Sequence, residues 1–139
     1  MRLWHVDLIK YLPDSQLKAQ WRELNCIYTQ NVQHILINYV YKYPKGMLQY
    51  YSDVVIKEMN KRGFGVKSIG NYAIYFKETS PIQIDYPEHN NEYLMICYYN
   101  LYEKFLRGQK DFTKEVYNKL RDFVLCTTMP GYGNDIYKG

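Results

Sequence analysis

The sequence has no apolar run approaching the ~20 residues needed to cross a bilayer, and no charged-then-apolar leader precedes its first helical pattern. A soluble cytoplasmic chain with no membrane partner is the expectation. Its three cysteines, Cys26, Cys97 and Cys126, are odd in number and lack CxxC spacing. That argues against a disulfide framework and against a zinc knuckle, and leaves reduced thiols as the default. No P-loop, GxSxG, HExxH or cysteine–histidine protease signature occurs. His5, His34 and His89 are far apart in the sequence without ligand spacing, so neither a metal nor an organic cofactor is expected. Repeats, low-complexity tracts and linkers are also missing. At 139 residues the chain reads as one domain, 1–139, large enough for a single hydrophobic core and expected to be a monomer.

What the chain does have is tyrosine, 17 residues against 5 phenylalanines and 2 tryptophans. Tyrosine brings flat apolar area with a polar tip, which suits a half-exposed core and equally suits stacking on bases. The formal charge of +4 is mildly basic; it permits a nucleic-acid partner without requiring one. Apolar periodicity predicts a mainly α single domain with a loop-rich middle and an irregular aromatic C-terminal tail. Asp14 or Ser15 caps a first helix whose apolar face is Leu17, Trp21, Leu24 and Tyr28, with Trp21 expected in the core. Arg22 and Glu23 lie off the centre of that stripe. Residues 32–41 lean helical. A helix from Lys45 to Arg62 carries Leu48, Tyr51, Val55 and Met59 and stops at Gly63. Residues 72–76 read as a short extended segment. Another helix starts at Asn90 or Asn91 and ends before Gly108, and Asp111 is expected to cap a last helix with Val116, Leu120 and Val124 inward.

Several ordered stretches resemble a known family. Leu8, Leu12, Asp14, Leu17, Ala19 and the run Arg22-Glu23-Leu24 fall in register with the first helix of the pyrimidine-dimer glycosylases, the endonuclease V type of phage and viral repair enzymes. Lys61-Arg62-Gly63-Phe64 followed by Val66-Lys67 is similar to the end of that family's central helix. His34, opening an aliphatic and tyrosine-rich stretch, and the tail Tyr132-Gly133 with Ile136-Tyr137 add to the likeness. Residues 68–128 show no such match.

The resemblance implies a DNA glycosylase with abasic-site lyase activity on damaged double-stranded DNA. The terminal α-amine, here Met1, attacks C1′, and Glu23 is the essential carboxylate. Arg2, Arg22, His34, Lys61, Arg62, Tyr132 and Tyr137 are the DNA-contacting candidates. The chemistry fits these residue types. An α-amine has a reference pKa of ~7.7 to 8 against ~10.4 for lysine, so a useful fraction is unprotonated at neutral pH. An imine is an electron sink, a carboxylate moves protons, and a guanidinium binds phosphate bidentately. The family's mature chain begins with threonine. Aligned without a gap, Arg2 takes that position; with one inserted residue between Trp4 and Leu8, the Met1 amine does, and this register is preferred because the reaction needs the amine. Cys26 replaces a second basic residue that the family carries after its Arg-Glu pair. The alternative is a non-catalytic nucleic-acid-binding protein on the same scaffold. Each candidate also has a plain structural reading: a snorkelling helix arginine, a satisfied histidine, a solvated lysine face and tyrosines that merely pack.

Overall fold

The first five residues run inward rather than away from the body. Leu3 is fully buried, and Trp4 and His5 nearly so. In this computed structural model, which describes residues 1–129 and 131, the segment leads into a 3-10 helix (Val6–Tyr11). The His5 Nδ1 caps that helix by accepting the Asp7 N–H at 3.1 Å. Five α-helices follow: α1 (Asp14–Gln30), α2 (Lys45–Lys61), α3 (Ile69–Tyr75), α4 (Asn91–Leu106) and α5 (Lys114–Thr128), with no strand among the described residues. The mainly α expectation holds. One core cluster joins the N-terminal segment to α1, α2, α4 and α5.

α1 buries Leu17, Gln20, Trp21, Leu24, Ile27 and Tyr28, the stripe expected plus one polar residue. Its start differs from expectation. Pro13 occupies the cap position and offers no side-chain acceptor. The free Ser15 N–H instead donates to the Asp111 carboxylate at 2.6 Å, and the Ser15 hydroxyl donates to it at 2.9 Å. Asp111 is thus spent on the far end of the fold, and α5 is capped by Thr113, whose hydroxyl accepts the Val116 N–H. Acid and helix end find each other through tertiary structure, beyond the reach of local spacing.

α2 starts after Pro44 and closes as expected at Gly63, which has φ +80°. Phe64 N–H donates to Met59 C=O and Gly63 N–H to Asn60 C=O, the paired bonds of a Schellman stop. Residues 32–41 are not one helix. Asn31 turns left-handed (φ 47°) to end α1, a tight turn follows, and only Asn38–Lys42 forms a 3-10 helix. There the His34 Nδ1 accepts the Leu36 N–H, capturing a donor that a helix would need. The extended segment expected at 72–76 is helical too: α3 sets Tyr72, Tyr75 and Phe76 at i, i+3 and i+4, and all three rings pack on Tyr28. Packing of one aromatic face outweighs the strand preference of those residue types. α4 and α5 run as a hairpin sealed by aromatic contact, with Phe105 stacked on Tyr117 at 4.3 Å and the Tyr98 and Tyr117 hydroxyls bonded at 2.7 Å.

Candidate active-site cleft

Chain termini usually fray, yet here nearly every backbone group from Arg2 to Asp7 is held. The Gln20 amide donates to Arg2 C=O at 3.1 Å, and the Tyr93 hydroxyl donates to Leu3 C=O. Trp4 N–H donates to Gln20 Oε1 at 2.8 Å, and the Tyr51 hydroxyl donates to Trp4 C=O at 2.7 Å. Val6 N–H donates to His89 Nδ1 at 3.2 Å. With Nδ1 accepting, the neutral His89 ring carries its proton on Nε2 and donates to the Tyr39 hydroxyl at 2.6 Å. Helices α1, α2 and α4 therefore clamp one strand of backbone and deliver Met1 to a fixed place.

That place is an open cleft of about 250 Å³ whose walls include Met1, Arg2, Ala19 and Glu23, together with Leu36 from the turn after α1 and Asn100 and Lys104 from α4. Glu23 is half-buried. Burial pushes its carboxyl above the ordinary glutamate range, while the Met1 α-amine, Arg22 and Lys104 pull the other way. Gln20 is one of two cleft residues that sequence reasoning missed. It is fully buried, and its four hydrogen-bonding positions are all used. Oε1 accepts from Trp4 N–H and from the Tyr51 hydroxyl, while Nε2 donates to Arg2 C=O and to Glu23 Oε2 at 3.1 Å. One amide thus ties the segment carrying the α-amine to the carboxylate. A glutamine at i−3 from Glu23, on the edge of an apolar stripe, was the only signal available. Lys104 was missed because it lies in the unmatched half.

The remaining candidates do not all converge on this cleft. The Arg2 guanidinium lies over the Tyr93 ring, 5.8 Å from its centroid, at the cleft wall. Arg22 is exposed and borders a second cleft of about 520 Å³ with Lys18, Trp21, Phe64 and Lys67. Trp21 is core as expected, donating its indole N–H to Lys67 C=O at 2.8 Å. Lys61 is exposed on a third surface beside Glu58 and Asp85. Arg62 is occupied by the fold: its guanidinium bonds Glu58 at 3.0 Å, Asp14 at 2.9 Å and the carbonyls of Leu12 and Lys10. It fastens the end of α2 to the start of α1, and none of its three nitrogens is left without a protein acceptor. His34 uses Nδ1 inside its own turn, two residues before Leu36 of the cleft wall. Tyr132 and Tyr137 lie outside the described residues.

His5 and His89, remote in sequence, do meet, with ring centroids 5.5 Å apart. They stack with Tyr93 in the core, and among the described residues no group of three or more histidine, cysteine or acidic side chains is placed to hold a metal. Burial, reinforced by the neighbouring His5, lowers the His89 pKa to about 3. His5 is lowered as well, chiefly by burial.

Comparison with known proteins bears on these same elements. The family model for pyrimidine dimer DNA glycosylases matches residues 1–69. The match spans the N-terminal segment, α1 and its Arg22-Glu23 pair, the turn with His34, and α2 through its stop at Gly63. No curated protein and no solved structure matches the chain. The N-terminal half of the chain is thus identified with the pyrimidine dimer DNA glycosylases, a family of DNA-repair enzymes.

Proposed function

We propose that this protein is a bifunctional glycosylase and abasic-site lyase for damaged pyrimidines in double-stranded DNA, working through an imine on the Met1 α-amine. The observation that carries the reading is the cleft itself: the terminal amine and the Glu23 carboxylate share one pocket, and Gln20 bonds both Glu23 and the backbone beside Met1.

The sequence of steps follows from these groups. The unprotonated α-amine attacks C1′ of a nucleotide flipped from the duplex. The C1′–N bond breaks, and the base departs with a proton. The sugar ring opens at O4′ to leave a C1′ imine, with Glu23 supporting the developing cation and managing the proton to O4′. The imine acidifies C2′; Glu23 takes that proton, the C3′–O bond breaks, and the 3′ phosphate leaves. Water then hydrolyses the imine and restores the amine. Arg2 and Lys104 at the cleft, and Arg22 beside it, hold phosphates. Lys61 borders a different surface and contributes to long-range attraction. No metal or organic cofactor is needed by any of these steps, and one protomer supplies all the groups named.

The test is a duplex carrying one cyclobutane pyrimidine dimer, and a second carrying an abasic site, each incubated with the protein and borohydride. Strand cleavage and a covalent adduct are expected with both. Failure on both, with a free N-terminus verified by mass, would contradict the proposal. Salt-sensitive binding without an adduct would instead favour a non-catalytic DNA-binding role.

A further inference from the structure

Breaking the C3′–O bond of an abasic nucleotide puts a second negative charge on the departing 3′ phosphate, and the cations around the cleft are not equivalent toward it. We propose that Lys104 is a further catalytic residue of the lyase step. Its ammonium binds the 3′ phosphate and stabilises the charge that develops there as the C3′–O bond breaks. This deepens the glycosylase and lyase reading and rests on it.

The Met1 α-amine is consumed in the imine. The Arg2 guanidinium is drawn against the Tyr93 ring, and Arg22 opens onto the second cleft. Lys104 comes from a different element, α4, and is half-buried. It lines the cleft with Asn100, one turn earlier on the same helix face. The Asn100 amide donates to Ile96 C=O at 2.8 Å, which fixes this part of the wall. Glu103, next to Lys104 in sequence, is committed to Arg107. Among the described residues no ion pair engages Lys104. Its charge instead acts on Glu23, pulling that carboxyl's pKa down against the effect of burial, so the two groups lie within Coulomb reach. Elimination uses that arrangement. Glu23 takes the C2′ proton and becomes neutral. The C2′–H electrons pass through the imine-conjugated system into a C2′=C3′ double bond, and the C3′–O pair leaves with the phosphate. Negative charge thus moves from the Glu23 carboxylate to the phosphate, and a cation within reach of both follows it. A compact ammonium with three rotatable donors suits the task.

The test uses a duplex with one preformed abasic site and saturating protein in a single turnover, so that base removal, weak binding and product release do not enter the rate. Imine is read as borohydride-trapped adduct, and strand scission is read without borohydride. Lys104→Gln removes the charge from a side chain that makes no ion pair, and is expected to melt with wild type. Scission should slow roughly tenfold or more, short of the ~10²–10³-fold supplied by a buried oxyanion donor because this cleft is open. Adduct still forms, so the ratio of adduct to cleaved strand rises. Lys104→Arg keeps a phosphate-binding cation and should restore most of the scission rate. Unchanged scission, adduct and scission falling in proportion, or no rescue by arginine would overturn the role of Lys104 while leaving the glycosylase reading intact. Absence of adduct with the wild-type protein would overturn both.

Discussion

Glu23 carries opposing demands. The proposed mechanism uses its charge near the α-amine, while burial raises its pKa. A carboxyl whose folded pKa lies above its unfolded value binds the proton more tightly when folded. Its stabilising contribution is complete below the unfolded pKa, ~4.3 for glutamate, and is lost as pH rises through the folded value. At neutral pH the Glu23 charge is therefore a net cost to stability, one that the proposed function would explain. Glu23→Gln is expected to abolish strand cleavage while leaving the melting temperature at pH 7 equal or higher. A marked fall in melting temperature would show that the carboxylate is structural. Gln20 should behave in the opposite way. Gln20→Met removes four hydrogen bonds and leaves the buried Trp4 N–H without a partner, at a cost of about 2–4 kcal/mol. Because the amine-bearing segment loses its tether to Glu23, trapping should fall as well, even at temperatures where urea denaturation shows the variant fully folded.

At the scale of the helices, local signals and long-range ones separate cleanly. The end of α2 depends on Gly63 at φ +80°, with open space around its Cα. Gly63→Ala therefore meets no clash and should cost only the left-handed backbone strain, about 1–2 kcal/mol; urea denaturation measures it, and a neutral result would mean that the stop is supplied by Phe64 alone. Such a stop was legible in the sequence because Gly63 follows the last apolar position at helical spacing. So were the Asn90 cap, whose side chain accepts the Tyr93 N–H as its type predicts, and the buried stripe of α1. α3 was not legible, since Tyr72, Tyr75 and Phe76 suit strands equally and only the presence of the Tyr28 ring decides. Asp111 was misassigned for a similar reason: its partner Ser15 lies 96 residues away. Within the cleft, the resemblance located Met1 and Glu23. Gln20 and Lys104 emerged only when α1, α2 and α4 came together, because a glutamine and a lysine carry no periodic signature of their own.

For the molecule as a whole, the core is built around a threaded N-terminus and two neutral histidines. His89, with a pKa lowered to about 3, and His5, also lowered, stay unprotonated when folded but accept protons near ~6.5 when unfolded. The unfolded state then binds more protons, so stability is fully present above ~6.5 and declines as pH falls toward the folded values, by up to about 1.4 kcal/mol per unit for each histidine. Urea midpoints at pH 7.5, 6, 5 and 4 should fall steadily, and a His89→Gln variant should flatten the decline. Since the same histidine holds Val6 and thereby the approach to Met1, acid should loosen the clamp that fixes the amine. The positive formal charge of +4 is compatible with a DNA partner, and affinity for duplex should fall as salt rises.

In the proposed mechanism one particular amine performs the chemistry, and Lys104 in the same cleft is its sharpest competitor. Borohydride-trapped protein–DNA adduct should be digested and the modified peptide located by mass spectrometry. The added sugar mass is expected on the Met1 α-nitrogen, and acetylating that nitrogen beforehand should remove the adduct. Modification of a peptide containing Lys104, or trapping that survives acetylation of the terminus, would contradict it.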